Sequence, residues 1–242
     1  MTESVVRIAS IYPTLLGTYG DGGNVLALVH RAVLHGLTAE VVDVAPGEHL
    51  PRDADLYVLG GGEDTAQVAA ADALRADGGL HQAVNRGAAV LAICAGYQLI
   101  GHEFPDATGA ASPGVGILDI RTDRLPKRAV GELLAKPDSQ APAAMTDLLT
   151  GYENHAGATH LGPDARPLAQ VEFGVGNGDG SEGAISGQVL GTYLHGPCLA
   201  RNPQVADVLL GWVVGENLPA LVEREVEELR AERLEFVRRS GR

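Results

Sequence analysis

The stretch from residue 87 to residue 101 constrains this chain most. Ala88-Ala89-Val90-Leu91-Ala92-Ile93 is a run of small and apolar side chains without alternation, the pattern of a strand buried on both faces. The run stops at Cys94, and Ala95-Gly96 leads into a helix start. A side chain between a buried strand and a helix sits on a tight, strained turn. That turn holds it out of the sheet and aims the following backbone N–H groups at one spot. A helix N-terminus also favours negative charge and so the thiolate form of a cysteine. The pattern leaves two readings of Cys94 open, a nucleophile or a small buried hydrophobe, the commoner state of free cysteines.

Composition narrows the frame around this strand. With 242 residues and 45% hydrophobic content the chain can bury a sizeable core, and the length is ordinary for one α/β domain. Aromatics make up only 4%, whereas Gly, Ala, Val and Leu abound, which suits helices packed on a parallel sheet better than an aromatic-rich sandwich. A net charge of −13 argues against a nucleic-acid partner. Two cysteines cannot build a disulfide framework, no signal-peptide pattern is present, and no apolar run is long enough to span a bilayer. The expectation is a soluble cytoplasmic protein.

Taken in order, strands and helices alternate. Val5 to Ile11 reads as a strand, followed by the glycine-rich loop Gly17 to Gly23, whose glycines suggest close backbone approach or positive φ. A helix is expected from Asn24, as N-cap, to His35, with Gly36 as its stop. Ala39–Val44 and Asp55–Leu59 read as strands, the second ending in Gly60-Gly61-Gly62-Glu63-Asp64. Helical segments over Thr65–Arg75 and Gly79–Asn85 precede the strand before Cys94. This order implies right-handed crossovers and a doubly wound, mostly parallel sheet with helices on both faces. Ligands of such sheets bind at the carboxyl ends of the strands.

The second half is less regular. Strand-like pieces occur at Val115–Arg121, Ala129–Ala135, Met145–Tyr152 and Leu168–Phe173, with a loop over Pro137–Pro142. Gly174–Gly183 reads as a flexible loop whose acidic residues argue against a phosphate cradle. Ala184–Leu194 reads as a hairpin turning near Gly187, and a helix over Pro203–Val214 follows. The tail from Leu218 to Arg239 has a helical pattern, an amphipathic helix over 219–240 with Val222, Val226, Leu229 and Phe236 as its apolar stripe. Its two readings are packing on its own domain and binding a partner. No repeat or linker divides residues 1–242, so a single domain is expected.

A cysteine nucleophile needs a base, and eight histidines compete. His30, His35, His49 and His81 fall in surface or edge patterns, whereas His102, His155 and His160 are less easily dismissed. His195 is the best placed, at the carboxyl end of the strand Val189–Leu194, although a structural histidine fits the same place. Cys198 nearby does not make a metal site without further ligands, and reads as structural.

At this point the residues resemble a known family. Leu15 to Asn24 (LLGTYGDGGN), Gly60-Gly61-Gly62-Glu63-Asp64, Ala92 to Gln98 (AICAGYQ), Arg128 before Val130-Gly131-Glu132, Gly151-Tyr152-Glu153-Asn154-His155 and Gly191 to Pro197 (GTYLHGP) are similar to class I, triad-type glutamine amidotransferases. The TYGDGGN, GYENH and TYLHGP stretches point within that class to the cobyric-acid-synthase-like branch. The resemblance implies a flavodoxin-like fold and glutamine hydrolysis, with Cys94 as nucleophile and His195 as base. It implies an oxyanion hole from Gly61, Gly62 and Ala95 and a glutamine contact from Arg128. Read without it, Arg128 is a solvated arginine beside Lys127.

Two features qualify this picture. Many members of the class carry a Glu two residues after the histidine, where this chain has Pro197. The expectation is therefore that an acid of a partner orients His195, with Glu153 as the internal alternative, and that the isolated chain is a poor glutaminase. The chain also lacks GxxxxGK[ST] or another ATP motif, so no cofactor is expected in it. Ammonia would then be used on another polypeptide. The resemblance implies a heterodimer with a Mur-ligase-like subunit, MurT, which would bind ATP and Mg and amidate the D-glutamate α-carboxylate of lipid II. Three alternatives stay open: another acceptor such as a cobyrinate-type acid, a stand-alone cysteine hydrolase of this fold, and a non-catalytic binding module.

Overall fold

The computed structural model describes residues 5–18 and 20–240; Tyr19 of the glycine-rich motif lies outside them. The first half runs β1 (Val5–Ile11), α1 (Gly23–Leu34), β2 (Thr38–Val44), β3 (Leu56–Leu59), α2 (Asp64–Asp77), α3 (Gly79–Asn85), β4 (Ala89–Ile93) and the short α4 (Ala95–Leu99). A middle section follows with β5 (Glu103–Pro105), β6 (Ala111–Pro113), β7 (Ile120–Pro137), β8 (Leu149–Leu161), β9 (Ala169–Phe173) and β10 (Ser181–Glu182). The chain closes with β11 (Ala184–Ser186), β12 (Val189–Thr192), α5 (Cys198–Arg201), α6 (Pro203–Val214) and α7 (Arg224–Ser240).

The main sheet has the order β11-β12-β4-β3-β1-β2, parallel throughout except for the β11–β12 hairpin at its edge. Every residue of β3, β4 and β12 is buried, as the unalternated apolar run before Cys94 requires. Succession moves outward from β1 to β2 but in the opposite direction from β3 to β4. With right-handed crossovers that reversal puts α1 on one face and α2 with α3 on the other. The contacts agree, since α1 packs with α5 and α6 while α2 packs with α3 and α4. Cys94, His195 and the Gly60–Gly62 turn all follow carboxyl ends of strands in this sheet. The doubly wound α/β class expected from the sequence is therefore the observed one.

A second sheet, mostly antiparallel, is built from β10-β9-β7-β5-β6 with β8 paired to β7. Here the pieces read separately at Val115–Arg121 and Ala129–Ala135 differ from what forms, one long strand from Ile120 to Pro137. Pro126 and its charged neighbours interrupt the apolar pattern, but β8 pairs with β7 on both sides of them and the register shifts between Arg124 and Ala129. The strand expected at Met145–Tyr152 begins instead at Leu149 and carries the GYENH stretch through to Leu161.

Two helix expectations also need correction. Asn24 does not cap α1: Gly22 holds the N-cap position without a side-chain bond, and Asn24 Oδ1 accepts the N–H of Leu199 at 2.9 Å instead. In the tail, Val222 precedes α7 and is 83% exposed, and Leu229 is also exposed. Among the α7 residues whose side chains are described, the buried ones are Arg230 and Val237. The apolar stripe read from the sequence therefore misidentified the packed face, because a buried arginine is invisible to a count of apolar residues. His35, read as a surface residue, has a buried side chain 2.9 Å from Asp207 Oδ1. Among the described residues no helix is long and apolar enough to cross a membrane.

Candidate active site

Cys94 has φ +51 and ψ −104, one of two non-glycine residues with positive φ among those described. Such a conformation is costly for a residue with a Cβ and persists only where the surroundings impose it. The Cys94 N–H is held by Thr192 O at 2.8 Å, and α4 starts at the next residue, so the side chain leaves the sheet at the turn expected from the sequence. Its thiol points toward Asn154 O at 3.9 Å.

His195 arrives from the neighbouring strand. Three residues past β12, its N–H and C=O exchange bonds with Tyr152 of β8, at 2.9 and 3.1 Å. The ring is 1% exposed, and Nδ1 lies 3.0 and 3.1 Å from the two carboxylate oxygens of Asp21. Asp21 belongs to the glycine-rich loop and is equally buried. Its Oδ2 also accepts the Gly61 N–H at 2.7 Å, and Thr18 N–H donates to Gly61 O at 3.1 Å, which ties the loop to the end of β3. No side chain fits at Gly61, where a Cβ would stand 2.8 Å from His195 Cε1 and 2.9 Å from Asp21 Oδ2.

Electrostatics follow from this placement. Burial by itself pulls the His195 imidazolium down, but hydrogen bonds and charge from Asp21 and Cys94 reverse that and raise its pKa to about 10. A protonated imidazole between a carboxylate and a thiol is the arrangement that sustains a thiolate nucleophile.

Within this chain the acid on the imidazole is Asp21, which the sequence reading did not name, and not Glu153, the internal alternative. The Glu153 carboxylate instead accepts the N–H groups of Val175 and Gly176 at 2.9 and 3.0 Å, with His155 Nε2 at 3.5 Å. Asp21 stands inside the TYGDGGN stretch quoted for the resemblance. The missing signal was distance in sequence, since the pair is 174 residues apart. The oxyanion reading changes as well: the Gly61 N–H is occupied by Asp21, so of the three residues expected there only Gly62 and Ala95, which line the pocket with Cys94, have N–H groups not committed to that carboxylate.

The pocket above Cys94 is lined by Gly62, Ala95, Gln98, Arg124, Arg128 and Asn154, among others. Arg128 lies in the irregular part of β7 and is exposed, yet its guanidinium is oriented: Nε donates to Asn154 Oδ1 at 2.7 Å and Nη2 to Asn154 O at 3.3 Å. The register shift thus turns this arginine toward the same Asn154 that faces the thiol. At the pocket's wall, His155 stacks on Tyr193 at 3.6 Å, and the hydroxyls of Tyr193 and Thr159 are hydrogen-bonded at 2.6 Å, forming a buried floor. His102 and His160 are half-exposed partners of Asp119 and Asp123.

Among the described residues no group of three or more His, Cys, Asp or Glu is placed to hold a metal ion. Cys198 is fully buried, and burial together with nearby Glu182 pushes its thiol up to about 12, so it is a structural residue.

The fold and this constellation define a class, and comparison with known proteins agrees. A family model, the CobB/CobQ-like glutamine amidotransferase domain, matches residues 7–203, and the chain belongs to that family. Among curated proteins it is 35% identical over 199 residues to the lipid II isoglutaminyl synthase (glutamine-hydrolyzing) subunit GatD of Staphylococcus aureus, covering 81% of this chain and 79% of that one. It is 34% identical to the GatD subunit of Streptococcus pneumoniae, covering 83% and 77%. A cobyric acid synthase of Rhizobium leguminosarum is 40% identical over 169 residues, but these cover only 32% of its length. Among solved structures a glutamine amidotransferase aligns over 86% of this chain with a TM-score of 0.59 at 17% identity, which speaks to the fold.

Proposed function

We propose that this chain is a glutaminase subunit that releases ammonia from L-glutamine for a lipid II isoglutaminyl synthase. The observation that carries the reading is the line Cys94, His195, Asp21 at the base of a pocket faced by Arg128, in a chain similar over four-fifths of its length to GatD. The Cys94 thiolate attacks the side-chain amide carbon, and Gly62 and Ala95 N–H groups take the developing oxyanion. The imidazolium of His195 delivers its proton to the departing ammonia, leaving a thioester. Neutral His195 then removes a proton from water, which cleaves the thioester to glutamate, expels the Cys94 thiolate and restores the thiolate–imidazolium pair. Asp21 holds Nδ1 protonated, so that Nε2 faces the chemistry. Arg128 receives the α-carboxylate, for which a guanidinium offers two parallel donors.

The ammonia is consumed by a Mur-ligase-like, ATP-dependent partner of the MurT kind, in the cytoplasm, with residues 1–242 acting as one glutaminase domain. A cobyrinate-type acceptor is the weaker reading, because the match to the cobyric acid synthase takes in 65% of this chain, against 81% for GatD. The test is to purify this chain with a Mur-ligase-like partner and supply glutamine, ATP, Mg and lipid II. D-isoglutamine formation that stops in Cys94→Ala and resumes with added ammonium salt supports the reading. Ammonia release with no amidation of lipid II would refute the acceptor, and no ammonia release would refute the glutaminase.

A further inference from the structure

The C-terminal helix α7 lies beyond the 7–203 span of the family model, yet it is tied to both segments that carry Asp21 and His195. Arg230 of α7 is only 5% exposed. A guanidinium at that depth needs acceptors, and it has three: Arg201 O, Asn202 Oδ1 at 3.3 Å and Leu148 O at 3.0 Å. Two of them sit at the carboxyl end of α5, where carbonyls lack helical partners and a cation is favoured.

From there two short routes lead to the imidazole. Asn202, fully buried, accepts Thr150 N–H at 2.8 Å and donates to Thr150 O and Cys198 O, each at 2.8 Å. Thr150 is two residues from Tyr152, whose backbone clasps that of His195, and α5 itself begins three residues after His195. At the other end, Glu223 just ahead of α7 bonds Arg31 Nη1 at 2.7 Å. Arg31 belongs to α1, the helix entered from Asp21, and is doubly bonded to Asp207 at 2.8 and 2.6 Å. The two carriers also touch directly, for a Cβ on Gly23 would stand 2.2 Å from Pro197 Cγ.

We infer that α7 is a brace for the imidazole of the active site, and that Arg230 is the positioning residue through which it keeps His195 against Asp21. The kinetic arm of the test rests on the glutaminase reading; the spectroscopic arm does not.

The test follows the His195 ring by NMR in the full-length chain labelled on histidine. The ionisable groups facing that ring are Asp21, from the loop before α1, and Cys94, from the turn after β4. Arg230→Ala is expected to lower the His195 midpoint from about 10 by at least ~1 pH unit, and kcat for ammonia release by about tenfold with KM little changed. Arg230→Lys should fall between, since an ammonium replaces a fork by a point donor. Val237→Ala, at a buried position of the same helix, should lower Tm yet keep the wild-type midpoint. If Arg230→Ala does not fold, Arg230→Lys decides. A wild-type midpoint in the Arg230 variants, or an equal shift in Val237→Ala, overturns the brace. A wild type that titrates as expected but releases no ammonia refutes the glutaminase and leaves the brace standing.

Discussion

Asp21 and His195 are 174 residues apart in the chain and 3.0 Å apart in the fold. The contact is possible because β1 and β12, parallel members of one sheet, both have their carboxyl ends on the same side of it. The loop after β1 is tied to the Gly60–Gly62 turn, while β12 runs beside the strand that ends at Cys94. Asp21 uses Oδ2 twice, on Gly61 N–H and on the imidazole, so the carboxylate is anchored before it orients the ring.

Cys94 should be the group that a glutamine-analogue electrophile such as diazo-oxo-norleucine labels. Mass spectrometry of the treated chain is expected to find the adduct on Cys94 and none on Cys198, whose thiol is buried and held near 12. Labelling of Cys198 would overturn the assignment. Cys94→Ala should remove all ammonia release while leaving Tm close to wild type, because a small side chain still fits the turn.

Arg128→Ala should raise KM for glutamine about tenfold or more, with the rate of Cys94 alkylation by a small reagent unchanged. Lysine should rescue only in part, lacking the planar fork that Asn154 orients. Wild-type glutamine kinetics in the alanine variant would return Arg128 to the solvated surface.

Much of this was legible in the sequence, for identifiable reasons. The Ala88–Ile93 run, the strand-end positions of Cys94 and His195 and the Gly187 hairpin are local patterns, and local patterns survive folding. What escaped was set by long-range contact. A search for an acid beside His195 ended at Pro197, while the carboxylate that touches the imidazole, Asp21, comes from the far end of the chain. Asn24 looked like a cap, but its amide was taken by Leu199. Arg230 carried no apolar signal, yet it is a buried residue of α7, because α5 and the approach to β8 present it with carbonyls.

Glu182 makes a prediction about stability against pH. Burial, only partly offset by bonds from Thr192 and the Tyr193 N–H, raises its pKa from 4.5 to about 7. The folded state therefore holds this proton more tightly than the unfolded one, and stability falls as pH rises from about 4.5 to about 7. Glu182→Gln should resemble wild type near pH 4 and exceed it near pH 8, by on the order of 1–3 kcal/mol. Thermal melts at the two pH values check this; an equal Tm difference at both would contradict it.

The most direct test is ammonia release by the isolated chain and its Asp21→Asn variant, beside Glu153→Gln. With Asp21 as the orienting acid, Asp21→Asn should lower kcat by about 10²–10⁴-fold, toward the lower figure because a thiolate needs less help than a hydroxyl. Glu153→Gln, which alters the Val175–Gly176 turn instead, should stay within a few-fold of wild type. The variant should also change stability. His195 titrates near 10 when folded and near 6.5 when free, so wild type has the full stabilisation below about 6.5 and loses it as pH rises toward 10. That fall should flatten in Asp21→Asn. An Asp21→Asn chain that releases ammonia at the wild-type rate, or a chain inactivated only by Glu153→Gln, would contradict the triad.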